Sequence, residues 1–245
     1  MVSRDFQALS EKRAARARFL AHRYPAARQV LDFCGDIAAF QQTIPTDSPL
    51  EARPLLVELV IEKGPELLKK AARELTVTAC RKALKDYLRE QDTTSPRSFF
   101  ARVLLQGQMA KAAGIASSEV DRLRGAGHRC PRCGHPPQVG CLRPQGDGTA
   151  LSLMCSLCLA EWPFERGRCP ACGEADGRNM AYYSADELPH LKVQVCETCR
   201  RYLHSVNLSK DPEAVPDVDE VAALPLDVWA LEQGFRKLHP NLVGI

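Results

Sequence analysis

Cys130-Pro131-Arg132-Cys133-Gly134 and Cys169-Pro170-Ala171-Cys172-Gly173 are one phrase written twice, 39 residues apart. Each is answered downstream by a second pair: Cys155-Ser156-Leu157-Cys158 after 21 intervening residues, and Cys196-Glu197-Thr198-Cys199 after 23. The unit is CPxCG, a hairpin's length of chain, then CxxC. Two cysteines three apart across a tight turn can both face one ion, which needs its thiolates about 2.3 Å away. The glycine after the first pair opens backbone conformations closed to other residues, and the proline inside the turn fixes φ and donates no hydrogen bond. A hairpin then carries the second pair back beside the first. Such a unit is too small for its own core, so a bound metal supplies folding energy, about 10–16 kcal/mol in small zinc peptides.

The repeat assigns Cys130, Cys133, Cys155 and Cys158 to site 1, and Cys169, Cys172, Cys196 and Cys199 to site 2. The alternative is a cross-brace that joins the first pair to the third. Sequential pairing is preferred because each repeat then closes on itself. Four thiolates suit zinc and iron equally, so the implied cofactors are two metal ions, Fe or Zn. With all four positions taken by protein, such a site is structural or electron-transferring and not hydrolytic. Cys141 falls on an expected strand and reads as a buried thiol; Cys34 and Cys80 read as small core residues of helices. His128 and His135 flank the first turn and read as surface residues, because eight thiolates already suffice. Trp162 and Phe164 are expected to cover the first unit's apolar side. The chain has no Gly-rich phosphate loop, serine triad or HExxH motif, so it is not expected to be an enzyme.

Outside the repeat the composition is ordinary. Of 245 residues, 45% are apolar and 26% charged, which excludes wholesale disorder, collagen and a coiled-coil rod. The net charge of +3 is too mild to imply a nucleic-acid partner. The longest apolar run, Leu55 to Ile61, is interrupted by Glu58, and a membrane span needs about 20 residues. No apolar segment follows a basic start, so no secretory signal is expected and the cytoplasm is the expected compartment. Nine of the 11 cysteines lie between Cys130 and Cys199. In a reducing compartment their CxxC spacing favours metal over disulfides.

Residues 1–129 carry a net charge of +7, residues 130–199 and 200–245 carry −2 each. The first part reads as helix. Val30, Leu31, Cys34, Ile37, Ala38 and Gln41 share one helical face, as do Leu67, Leu68, Ala71, Ala72 and Leu75; Leu84, Tyr87 and Leu88, and Phe99, Phe100, Val103 and Leu104, continue the pattern. Ser48-Pro49-Leu50-Glu51 reads as a capping box, Ser95-Pro96 as a second cap, and Gly64-Pro65 as a break. About five helices are expected, ending near Gly125 and Gly127. Lys12, Arg13, Arg16 and Arg18 read as a solvated basic helix face. Residues 138–143 and 149–154 read as strands joined by a Gln-Gly-Asp-Gly turn, residues 179–184 and 191–195 as a second pair, and 201–206 as a further strand. The acidic tail is expected to end in a short helix over 226–238.

The tandem pattern resembles the FdhE family of formate dehydrogenase accessory proteins. The resemblance rests on the paired units, Cys155-Ser-Leu-Cys158-Leu-Ala-Glu161-Trp162, Cys196-Glu-Thr-Cys199-Arg-Arg-Tyr202-Leu203, residues 98–105, and Leu226-Asp227 with Glu232-Gln-Gly234-Phe235. Asp217-Val218-Asp219 stands where that family tends to have adjacent acids. The expected fold is α+β: an irregular helical bundle (1–126), two tandem zinc-ribbon β units (127–167 and 168–206), which the resemblance likens to rubredoxin, and a short tail (207–245). The resemblance also implies a cytoplasmic, non-catalytic biogenesis factor, a metal-stabilised chaperone that binds the catalytic subunit of formate dehydrogenase and whose cysteine sites are associated with iron. Two other readings stand beside it. A nucleic-acid-binding zinc ribbon is disfavoured by the −2 charge of the repeat region. A rubredoxin-like electron carrier would be red when its iron is oxidised.

Overall fold

A computed structural model describes residues 4–113 and 127–244. Among the described residues, six α-helices build the first part: α1 (Arg4–Arg23), α2 (Arg28–Phe40), α3 (Arg53–Lys63), α4 (Glu66–Arg73), α5 (Val77–Leu88) and α6 (Pro96–Ala113). That is one more than the periodicity suggested, and Gly125 lies outside the described residues. Gly64-Pro65 does separate α3 from α4. Ser95 caps α6, its Oγ accepting from Ser98 N at 3.3 Å. Ser48 does not act as a cap. Pro49–Ala52 forms a short 3₁₀ turn before α3, and no Ser48 side-chain bond closes it. Leu31, Cys34 and Ile37 of α2 meet Phe99, Phe100, Val103 and Leu104 of α6 in the main apolar core. Cys34 and Cys80 are buried there, as their helical register implies.

The remaining chain forms one sheet. Strands β1 (Pro137–Gln145), β2 (Gly148–Cys155), β3 (Glu161–Pro163), β4 (Met180–Tyr183), β5 (Leu191–Cys196) and β6 (Arg201–Asn207) run in the order β3-β2-β1-β6-β5-β4, with β7 (Arg236–Lys237) beside β6. The hairpins β1–β2 and β4–β5 are antiparallel, as the turn chemistry requires. A short parallel pairing, Gly140 to Leu142 against Ser205 to Asn207, fuses the two units into one sheet. Gly140 permits that approach: a Cβ there would lie 3.2 Å from both Leu151 Cδ1 and Ser205 Cβ.

The tail is a clasp between sheet and helices. Helix α7 (Pro216–Asp219) is followed by α8 (Leu224–Glu232), which stops at Gly234 with φ 77°. The expected helix through Leu238 is thus cut short, and Arg236–Lys237 joins the sheet instead. Val215, Val218, Val221, Leu242 and Val243 enter the helical core, while Leu226 and Ala230 pack on the sheet.

The expected solvated face of α1 is also corrected. Lys12 and Arg18 are exposed, but Arg13 and Arg16 are buried. Arg13 Nε donates to Asp217 Oδ2 at 2.6 Å, its Nη1 to Gln41 at 2.7 Å, and its Nη2 to Gln106 at 3.2 Å. Arg16 Nη2 lies 2.5 Å from both Asp211 and Asp219. Buried guanidinium groups require partners, and the acidic tail supplies them from about 200 residues away.

Candidate metal centres

The four turns that carry the CxxC pairs share one backbone device. Gly134 N donates to Cys130 O at 2.8 Å, Gly173 N to Cys169 O at 3.0 Å, and Arg200 N to Cys196 O at 2.9 Å. The residue after the second cysteine takes positive φ each time: Gly134 77°, Leu159 58°, Gly173 81° and Arg200 56°. At Gly134 a Cβ would meet nothing within 4 Å, so conformation and not space selects glycine there. Cys130 N bonds His135 O, Cys155 N bonds Ala160 O, and Cys169 N bonds Glu174 O, so the turns are closed alike in both units.

These turns bring the eight sulfurs into two groups. Cys130, Cys133, Cys155 and Cys158 form one, and Cys169, Cys172, Cys196 and Cys199 the other, each with all ligand atoms within 4.8 Å of one another. In the first group Cys130 and Cys158 sulfurs are 3.6 Å apart, and Cys133 and Cys155 are 3.3 Å apart. In the second, the Cys169–Cys199 and Cys172–Cys196 separations are 3.7 and 3.8 Å. A tetrahedron of sulfurs about 2.3 Å from its centre has edges of about 3.8 Å. The groups therefore fit one ion each, in chain order and not cross-braced. All eight cysteines are unpaired thiols at separations far beyond a disulfide bond. Backbone N–H groups of Leu157 and Ala171 point at Cys155 and Cys169 sulfurs at 3.3 Å, as they would toward thiolates. The sulfurs of Cys130, Cys133 and Cys158, together with burial, push the Cys155 thiol far above its ordinary range. A cation at the centre inverts that preference by deprotonating the thiols. Zinc and iron satisfy this geometry equally.

The surroundings of the groups differ. The first is enclosed by Ala83 and Tyr87 of α5, Ala101 and Leu105 of α6, and Leu153, Leu157, Trp162 and Leu203 of the sheet region. Trp162 is fully buried, with Nε1 donating to Gly127 O at 3.1 Å, and Phe164 packs on the same cluster. Among the described residues the second group clusters with just Met180 and Ala171 as buried or half-buried apolar side chains, and Cys172 is exposed. Cys141 is a fully buried thiol whose ionisation burial opposes.

His128 is exposed, as expected, but His135 is not a surface residue. Its ring is buried, stacked on Tyr87 with centroids 6.2 Å apart, and its Nδ1 lies 3.3 Å from Cys133 O. No local signal marks this, because Tyr87 comes from a helix 48 positions earlier. A third ligand-like trio, His190, Asp211 and Asp219, also converges. Arg16 already occupies its centre of charge, so it reads as an ion-pair network.

The known proteins that this chain is similar to agree with one another. A family model described as FdhE, C-terminal domain matches residues 168–243. An FdhE homolog of Aquifex aeolicus is 38% identical over 116 residues, which cover 47% of this chain and 41% of that protein. Several such relatives, including one from Pseudomonas putida, align over less than half their own length. A homolog from Cronobacter sakazakii is 28% identical across 95% of this chain and 87% of its own. The crystal structure of the FdhE protein from Pseudomonas aeruginosa superposes with a TM-score of 0.72 and 25% identity, covering 98% of this chain and 96% of that one. The family model spans the C-terminal third of the chain, and the likeness to FdhE proteins extends over its helical part, mixed sheet and two four-cysteine groups.

Proposed function

We propose that this protein is a non-catalytic accessory factor for formate dehydrogenase, a metal-stabilised chaperone that binds the enzyme's catalytic subunit in the cytoplasm. Cys130, Cys133, Cys155 and Cys158 hold one ion, and Cys169, Cys172, Cys196 and Cys199 the other. The observation that carries the reading is the likeness to an FdhE structure over nearly the whole chain, both four-sulfur groups included. The chemistry of the groups supports it. Four protein sulfurs leave no position for a substrate or an activated water, so the metal shapes the protein and performs no hydrolysis. Among the described residues no helix is long and apolar enough to cross a membrane.

The test is co-purification with the catalytic subunit of formate dehydrogenase, co-expressed without oxygen. Retention at micromolar concentration is expected, and loss of formate dehydrogenase activity is expected when the chain is deleted. Absence of both sinks the reading. Metal analysis with an absorption spectrum identifies the ion, because iron–thiolate centres absorb in the visible and zinc centres do not.

A further inference from the structure

Helix α5 has an outer face that the metal groups do not use. Its inner residues, Cys80, Ala83 and Tyr87, are buried. Its outer face carries Arg81 and Lys85, continued by Arg89 at the C-cap, all exposed, at i, i+4 and i+8. At 1.5 Å rise per residue, successive members stand about 6 Å apart along the axis. The nearby acids are engaged elsewhere: Asp86 with Lys82 and Glu90 with Arg129, both at 2.5 Å. Among the described residues none of the three cations has a carboxylate partner. Like charges four apart repel on a helix surface; Lys85 in the last turn and Arg89 at the C-cap gain from the helix dipole, and Arg81 does not.

The row leads to the first metal group. Glu90 holds Arg129, which precedes Cys130, and Pro131, Arg132 and Gly134 of that turn are exposed. Behind the row, Tyr87 stacks on His135. Val77 and Leu88, also exposed, bracket the cations with apolar surface. We propose that this ridge is a docking surface for an acidic polypeptide segment, laid along α5 against Arg81, Lys85 and Arg89 and reaching the outer face of the first group. An extended chain repeats its side chains on one face about every 6.6 Å, close to the spacing of the row. Single-stranded nucleic acid would call for aromatic stacking platforms, and the outer face of α5 has none. The inference deepens the accessory-factor reading and rests on it for the partner's being a protein.

The test uses the metal-loaded full chain and a fluorescein-labelled peptide of about twelve alternating Glu and Ala residues, chosen to match the strand repeat. Anisotropy is expected to report binding that weakens between about 50 and about 200 mM salt. The variant Arg81→Gln/Lys85→Gln/Arg89→Gln is expected to lose at least about tenfold in affinity. Lys12→Gln/Arg18→Gln/Arg28→Gln, the same charge change on α1 and α2, is expected to lose less than about twofold. Should the ridge triple variant misfold, Lys85→Gln alone is expected to lose about threefold. Equal losses in both triple variants, no peptide binding at about 1 mM, or tighter ridge-dependent binding of a single-stranded oligonucleotide would each overturn the proposal. The assay contains no formate dehydrogenase, so its failure is separable from a failed co-purification.

Discussion

The two four-sulfur groups come from nearly the same words of sequence and sit in opposite surroundings. The first is walled by α5, α6, Trp162 and the sheet, and Gln106 of α6 donates to Ser156 O inside its second turn at 3.0 Å. The second rests on a strip of its own hairpin with Cys172 open to solvent. Local spacing thus makes a turn that can hold a metal, but its neighbours decide whether an ion there would be a keystone or an appendage. Removing an ion from the first group is expected to disconnect helices from sheet; removing one from the second is expected to loosen one hairpin at the end of the sheet.

The largest expected effect tests that contrast directly. Cys155→Ser is expected to cost at least about 5 kcal/mol, a substantial share of the 10–16 kcal/mol that structural zinc supplies to small domains. Cys172→Ser is expected to cost at least about 2 kcal/mol less, because fewer packed groups depend on it. Urea unfolding followed by helical circular dichroism, with metal content measured alongside, checks both. Equal losses would erase the distinction between the groups.

Next in size is the network behind the first group. Arg13 ties α1 to Asp217 of the tail, and through Gln41 and Gln106 to the turn at Ser156. Arg13→Met strands Asp217, already pushed upward by burial, without its cation. A loss of about 3–5 kcal/mol is expected. Asp217→Leu added to it should recover part of that loss, since a well-packed apolar pair can replace a buried ion pair. If the double variant is as unstable as the single one, the network serves packing and not charge.

Acid offers a third probe of the sealed side. His239 lies beside Tyr87, and burial, reinforced by Arg102, holds its pKa down to about 3. Unfolded histidine titrates near 6.5, so below that pH the unfolded chain takes up a proton that the folded chain refuses. Stability contributed here is present above about pH 6.5 and is lost as pH falls toward 3. The expected loss at pH 5 is about 2 kcal/mol. His239→Asn should flatten this slope between pH 7.5 and 5 in urea titrations, isolating it from acid release of metal.

Local chemistry was legible in the sequence; distant partnership was not. The CPxCG repeat, the β1–β2 turn and the α2 stripe each depend on residues a few positions apart, so their spacing carries the answer. Cys141 reads as a buried thiol from its place on an expected strand outside the CxxC pairs, and it is buried. Arg13 and Arg16 look like surface charge because the aspartates that bury them are about 200 residues away. His135 looks exposed for the same reason, its stacking partner Tyr87 belonging to α5. The parallel β1–β6 seam also has no local signature, since only three residue pairs form it. It rests on close backbone approach at Gly140, whose meaning appears only when both strands are placed.

The smallest expected effect is the finest test of what seals the first group. Tyr87 could serve through its hydroxyl or through its ring. The hydroxyl contact with His239 Nε2 is long, 3.4 Å, while the ring stacks on His135 and lies edge-on to His239. Tyr87→Phe keeps both ring contacts and should cost about 1 kcal/mol or less. Tyr87→Ala opens a cavity and should cost about 3–5 kcal/mol. Metal release to a chromogenic chelator separates the roles. Wild type is expected to lose its ions in two phases at least about tenfold apart, with the fast phase absent from Cys172→Ser. Enclosure by the ring predicts an unchanged slow phase in Tyr87→Phe and a merged, faster one in Tyr87→Ala. If Tyr87→Phe alone accelerates the slow phase, the barrier is the hydroxyl's hydrogen bond, and the packing account of the difference between the two groups fails.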